Sequence, residues 1–533
     1  MSSDCFYVPL VSVWKPTMKL HLPITFVAAC GMAHAETPTP GYNHKIPEKI
    51  MTPDRVETRI GTLEFFDGLP TEQTVDKLYD NLLLIRGVET FLNGIPATSV
   101  EGLRLGNISL GADESHEVVV LENLLDSAPL FLTGNTDTVY ASAFLDLRKD
   151  GPTVVEIPPN CGPGTVNDAF FRFVTDMGIP GPDRGQGGKY LILPPDYQGE
   201  LKGEIGSTPI EIGGVTYHVS QSPSYSNWLI LRGFLVDGKP DAATKMFKEG
   251  LKIYPFSTKP GEAPEMTFIN GSGKSWNTVH ANNHEFYEEL DQVIQREPVG
   301  FLDPELRGLF ASIGIEKGKP FKPTDAQRKI LEEAVAIGNA TARAIAFRPR
   351  IEGVRYYPDS AWGTAFVGGD YQWLKNGGNG GRNLDARTLF FYQATVNTPA
   401  MVQKMVGRGS QYAYAATDKN GDYMDGGKNY TLTLPANVPA KDFWSVVIYD
   451  PQTRSELQTS QPFPSKNNKR DKLALNADGS VTLHFGPEAP AGKESNWIQT
   501  VPKKGWYPLL RLYGPLEPWF EKTWRPGEIE PAP

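Results

Sequence analysis

A chain of 533 residues exceeds what one ordinary core serves, so two or three domains are expected, each long enough to pack well. Hydrophobic content of 40%, with 53 Gly and 45 Pro, excludes a disordered or coiled-coil chain and favours a turn-rich, largely β protein. A formal net charge of −10 without any basic cluster argues against nucleic-acid and anionic-membrane partners, leaving a small-molecule ligand or another protein.

The N-terminus reads as an export signal. From Met18 the chain runs MKLHLPITFVAACGMAHAET, a lysine and an apolar run ending in the small-x-small pattern Ala33-His34-Ala35. The expectation is a signal peptide over 1–35 with Met18 as initiator, and a periplasmic or secreted protein. Val27-Ala28-Ala29-Cys30 also resembles a bacterial lipobox, so a lipid anchor at Cys30 is the alternative, and the only membrane association expected. Cleavage at Ala35 leaves Cys161 alone, which rules out a disulfide framework and a thiolate metal cage. Nothing in PPNCGPGT activates Cys161 locally, so it reads as a small turn residue.

Prolines at 38, 40 and 47, before Pro53 closes the stretch, make 36–53 a linker. Thr71 then opens a helix with Val75, Leu78, Leu82, Ile85 and Phe91 at helical spacing, and a second helical stretch spans Val118 to Asp126. Strand signals dominate from Val139 to Val236. The stretch Gly134 to Pro159 organises this region: Val139 to Leu147 and Thr153 to Ile157 form two strands around Asp150-Gly151-Pro152. Asn135, Thr136, Asp137 and Thr138 precede them. Such residues either brace a turn through local backbone bonds, or present Asp137 and Tyr140 to a pocket at the strand mouth. Arg172 and Arg232 interrupt apolar runs and need solvent, an ion partner or an anionic ligand.

The period becomes helical from Asp241 to Arg350, with helices opened by Pro240-Asp241, spanning His280 to Gln295, starting at Asp303-Pro304, and starting at the capping box Thr324-Asp325-Ala326-Gln327. An aromatic and Gly-rich crossing loop follows over 351–410, and a second β region closes the chain. The expected division is thus 54–237 (N-terminal, β-rich), 238–350 (helical connection), 351–410 (crossing loop) and 411–533 (C-terminal β-sandwich).

Several motifs fail on inspection. Gly271-Ser272-Gly273-Lys274-Ser275 has Phe268 where a phosphate loop needs its first glycine, and no nucleotide or other cofactor is expected. His280 and His284 would share a helix face, half a metal site, but Ala281 stands where a zincin carries its Glu, so no metal site is assigned. The calcium-type run from Asp418 to Asp425 has Tyr423 at the glycine position, and a polar turn is favoured. Trp228, Trp444, Trp497, Trp506, Arg511 and Tyr513 gather near strand ends, as core residues or as the lining of a concave site.

Taken together, these residues resemble a bacterial tandem of domains of unknown function 1254 (N-terminal) and 1214 (C-terminal). The first is suggested by Gly61 to Pro70, by Asn135-x-Asp137-Thr138-x-Tyr140 with Asp146-Leu147, and by Gly188-Lys189-Tyr190. The second is suggested by Asp418 with Gly421, Phe443-Trp444-Ser445-Val446, Tyr449-Asp450, Asn476-x-Asp478-Gly479-Ser480, and Asn496-Trp497 with Leu510-Arg511-Leu512-Tyr513. Ile498-Gln499 replaces the Leu-Pro often found after Asn-Trp. The resemblance implies an α+β, mainly β fold of two β-sandwich, jelly-roll-like domains with helical insertions, and a homo-oligomer.

The leading functional expectation is an exported protein that binds, or binds and hydrolyses, a small organic molecule in a pocket of the β domains. Asp137 and Tyr140 are its candidate catalytic groups, and Asn135, Arg172, Trp497, Arg511 and Tyr513 its candidate ligand contacts. Two alternatives stand beside it: a non-catalytic envelope or assembly protein, and a metal-dependent hydrolase using His280 and His284.

Overall fold

A computed structural model describes residues 46–199, 206, 209–259 and 261–533. The expected signal peptide, Cys30 and the first part of the linker lie outside the described residues. The fold is mixed α+β, with about 27% helix and 28% strand, so the expected excess of strand gives way to near parity. Two compact units part between Thr71 and Glu72. In the first, strands Arg55–Thr58, Gly61–Phe66 and Leu69–Pro70 form an antiparallel meander.

The second unit begins with a helix much longer than its sequence suggests, Glu72–Ser109, 38 residues with Pro96 inside. Its continuation past Pro96 is secured by packing: Phe91, Ile95, Val100 and Leu103 are buried, and Gly94 and Gly102 admit neighbours that a side chain would strike. A Cβ at Gly102 would stand 2.5 Å from the Thr278 carbonyl oxygen. Helices Glu285–Arg296 and Asp325–Phe347 pack on this helix, the latter carrying the expected Thr324 capping box.

The stretch from Val118 is not helical. Glu117–Val120 is a strand, paired with Thr138–Asp146 and Thr267–Asn270, because three successive β-branched valines suit a site buried on both faces. The sheet containing it has six strands, and a five-stranded sheet built on Thr153–Ile157 and Gly188–Leu193 covers one of its faces. Both sheets recruit strands from beyond residue 237, Lys252–Pro255 and Thr267–Asn270. The run AFFRFVTDM breaks at Phe171, whose φ of 54° turns the chain between Gly164–Asp168 and Phe173–Met177.

Toward the C-terminus a six-stranded sheet centred on Gly505–Pro515 packs on a four-stranded sheet containing Asn429–Leu434 and Val481–Gly486. The expected crossing loop is largely irregular, part buried and part exposed, and it holds one α-helix, Leu384–Gln393, whose second half is buried. The helix expected from His280 starts only at Glu285, leaving His280 in the preceding loop.

Strand alternation places the site. Along Thr138–Asp146, Val139, Ala141, Ala143 and Leu145 enter the sandwich core, so Tyr140 and Ser142 face the other way. Along Gly505–Pro515, Leu510 and Leu512 enter the C-terminal core, which turns Leu509, Arg511 and Tyr513 outward. These two outward faces meet.

Candidate functional site: a cavity between the two β domains

A cavity of about 70 Å³ lies where the faces meet, and Tyr140, Trp228, Arg232, Tyr412 and Arg511 line it. Most of the rest of its wall is apolar or aromatic, including Phe131, Phe366, Phe390, Val396 and Leu509. Two lining residues, Thr133 and Val396, hold left-handed backbone angles (φ 40° and 69°) that cost a β-branched residue free energy.

Arg511 is buried, and its Nη2 donates to the carbonyls of Thr133 and Gly134 (3.1 Å for Gly134) and to the Tyr449 hydroxyl (2.7 Å), while its Nε has no partner. The Tyr449 hydroxyl donates onward to the Gly134 carbonyl at 2.6 Å. Gly134 leaves room for Leu125: a Cβ there would stand 2.1 Å from Leu125 Cδ2 and force that side chain to shift. Arg232 spreads over the Tyr140 ring, 5.5 Å from its centroid, and Arg511 over Tyr412 at 5.4 Å. Among the described residues neither arginine forms an ion pair. Burial holds the phenols of Tyr140, Tyr449 and Tyr513 above their ordinary range, so all three keep their protons.

The polar residues preceding Tyr140 clamp the domains together. Asn135 Oδ1 accepts from the amides of Asp137 (2.9 Å) and Thr138 (3.1 Å), and its Nδ2 donates to the Tyr140 hydroxyl. Asp137 is 1% exposed: Oδ1 accepts from Asn467 Nδ2 at 3.0 Å, and Oδ2 from the Ser445 hydroxyl. Thr136 Oγ1 meets Ser465 Oγ at 2.6 Å, and Arg470 Nη1 donates to the Thr136 carbonyl at 3.0 Å. Asp137 therefore sits behind the cavity wall, on bonds that cross from one β domain to the other.

Of the residues singled out from sequence, Asn135, Asp137, Tyr140 and Arg511 come together here. Tyr513 faces the same way, stacked on Phe443 at 4.1 Å between centroids. Two others lie elsewhere. Arg172 pairs with Asp168 at 2.5 Å beside a different cleft, and Trp497 sits in the outer sheet with its indole N–H donating to Gly486 at 2.9 Å. Sequence reasoning missed Ser445 and Asn467 as partners of Asp137, Tyr449 as the anchor of Arg511, and Glu456. The Glu456 carboxyl is buried without a hydrogen-bond partner, and burial, then the charge of Asp137, raises it well above the usual carboxylate range.

The remaining candidates take structural places. His280 is buried against Phe91 and Phe286, and His284 stacks on Phe321. No group of three or more His, Cys, Asp or Glu among the described residues is placed to hold a metal ion. Asp418 Oδ1 accepts from the amides of Asn420 and Asp422, which makes the calcium-type run a polar turn. Cys161 is buried and its thiol is pushed up to about 12 by burial and the charge of Asp183, which keeps it protonated.

Residues 116–255 match the family described as Protein of unknown function (DUF1254), and residues 409–517 match Protein of unknown function (DUF1214). The chain thus carries the DUF1254–DUF1214 tandem, in that order, and the cavity lies between the two matched regions. No curated protein matches it. Among solved structures, the VPA0106 protein from Vibrio parahaemolyticus is similar in fold, with 17% identity, 85% of this chain and 100% of that chain covered, and a TM-score of 0.51. An uncharacterized protein from Burkholderia cenocepacia shows 12% identity over 86% of this chain and 96% of its own, with a TM-score of 0.38.

Proposed function

We propose that this DUF1254–DUF1214 chain is an exported protein that binds a compact organic anion, a short-chain carboxylate, in the cavity between its β domains. One observation carries the reading: two guanidinium groups, Arg232 and Arg511, line a small, mostly apolar space with no carboxylate in ion-pair contact, the nearest acids, Asp176 and Glu456, acting on them only at longer range. A buried cation without a counter-ion is costly, and a ligand carboxylate would offset that cost while its carbon chain meets the apolar wall. The cavity is less than half of the roughly 150 Å³ that holds benzene, so the ligand is small, with roughly four or five heavy atoms.

In this reading Arg511 and Arg232 take the carboxylate and the Tyr140 hydroxyl supplies a further polar contact. Asp137 acts as a positioning residue, because its bonds to Ser445 and Asn467 anchor the segment three residues beyond Gly134, whose carbonyl Tyr449 and Arg511 hold. Export rests on the Met18 to Ala35 pattern, and jelly-roll connectivity within each β domain remains part of the proposal, supported by the paired sheets. Isothermal titration of the purified protein with propionate and with propionamide tests the binding. Propionate should bind one per chain and the amide should not; equal heats from both, or none from either, would sink the reading.

A further inference from the structure

A second cleft, separate from the interdomain cavity, carries three arginines. It measures about 330 Å³, and Arg172, Arg382 and Arg387 line it with the aromatic rings of Phe171, Trp373 and Phe391. The three cations arrive from different elements. Arg172 follows the Phe171 turn, with its backbone amide on Asp168 Oδ1 at 2.8 Å. Arg382 precedes the helix Leu384–Gln393, which Asn383 caps, and Arg387 stands on that helix.

Four acids stand nearby, Asp168, Asp303, Asp370 and Glu89; Asp303 lines the cleft itself, and the first three are held by hydrogen bonds of their own. Asp168 is fully buried and pairs with Arg172. Asp303 caps the helix Pro304–Ala311 by accepting from the Leu306 amide at 2.9 Å. Asp370 accepts from the Gln372 and Leu374 amides at 2.7 and 3.2 Å. Arg382 and Arg387 have no ion-pair partner among the described residues. Arg387 is only 7% exposed, yet its Nε is unpartnered while Nη2 donates to Asn93 Oδ1 at 2.5 Å. Arg172 likewise leaves Nη2 without a partner. Arg382 acts against the charge on Arg387, Glu89 and Asp303 offset part of that, and the unspent donors of Arg172 and Arg387 are left for an anion in the cleft.

The walls specify the rest of the ligand. Phe171 and Phe391 stack at 5.2 Å between centroids, and Trp373 meets Phe391 at 5.0 Å, so the space beside the arginines is bounded by flat faces. We infer that this cleft binds an aromatic oxyanion, a planar ring bearing a carboxylate, with the oxyanion among Arg172, Arg382 and Arg387 and the ring against Phe171, Trp373 and Phe391. At about 330 Å³ it is more than twice the size of a benzene-holding cavity, whereas the interdomain cavity at about 70 Å³ is too small for such a ring. The two sites are independent, and either can fail without the other.

The test is titration of the full chain with benzoate, benzamide and inorganic phosphate, in the wild type and in Arg382→Ala, an exposed position whose loss leaves the core intact. Benzoate should bind with 1:1 stoichiometry and benzamide should not; Arg382→Ala should weaken benzoate about ten- to a hundredfold, the effect of one charged hydrogen-bonded contact. A crystal soaked in benzoate should place the ring beside Trp373. Equal binding of benzamide, or benzoate affinity unchanged in Arg382→Ala, would overturn the inference, as would phosphate displacing benzoate with no ring density beside Trp373.

Discussion

Removing the Asp137 carboxylate should loosen the join between the two β domains, and a mutant cycle with Ser445 isolates the effect. The Ser445 hydroxyl donates to Asp137 Oδ2, and Asn467 Nδ2 donates to Oδ1 at 3.0 Å, both in a site that water does not reach. A buried hydrogen bond to a charged group contributes about 1.5–3 kcal/mol. Asp137→Ala forfeits two such bonds and strands the partner groups, so a loss of about 3–6 kcal/mol is expected. Asp137→Asn, which keeps the shape and one acceptor, should lose about half of that. Ser445→Ala removes one bond, and the cycle Asp137→Ala with Ser445→Ala should give a coupling of about 1.5–3 kcal/mol. Urea unfolding followed by both tryptophan fluorescence and circular dichroism measures these values and checks that the transitions coincide. Single-mutant losses within about 0.5 kcal/mol of zero, or a vanishing coupling, would refute the clamp.

Two buried groups make opposite predictions for pH. Glu289 is pushed up to about 8, first by burial and then by the charges of Glu101, Glu285 and Glu288, against the Ala281 amide that holds it. Its folded form keeps a proton that the unfolded chain releases, so stability is fullest below pH 4.5 and falls as pH rises toward about 8, by at most about 5 kcal/mol. Glu289→Gln should flatten that slope in urea midpoints taken across the range; parallel wild-type and variant curves would contradict it. His280 is pushed down to about 3, chiefly by burial and then by the charge of Arg454. The unfolded chain takes up a proton first, so this contribution is complete above pH 6.5 and is lost as pH falls toward about 3. His280→Leu should reduce acid sensitivity in that window, measured by thermal unfolding at pH 7 and pH 5; an unchanged difference between the two would count against it.

Much of the β framework is legible in the sequence because β-branched runs and Gly or Pro turns coincide, as in Thr153–Ile157 and Asn429–Leu434. The errors fall where tertiary packing overrides local signals. The helix opened at Thr71 carries apolar spacing only as far as Phe91 in the sequence reading, yet it runs on through Pro96 to Ser109, where buried glycines let neighbouring backbone approach its flank. Val118 to Asp126 reads as helix, yet its valines are claimed by strands from residues 138–146 and 267–270. Site residues divide in the same way. Asn135, Asp137 and Tyr140 form a local cluster that sequence can pick out, whereas Ser445 and Asn467 are 308 and 330 residues from Asp137 and nothing local pairs them with it. Alternation along Gly505–Pro515 shows that Arg511 and Tyr513 share a face but not what lies opposite. Arg172 and Arg232, alike in sequence as charges within apolar runs, therefore reach different clefts.

The central claim is that Arg511 and Arg232 await a small carboxylate, and a crystal structure of the protein grown in propionate tests it most directly. One propionate should occupy the interdomain cavity, its carboxylate within hydrogen-bond distance of Arg511 and its methyl group toward the apolar wall. A cavity left filled by water alone at saturating propionate, or propionate bound only on the outer surface, would contradict it.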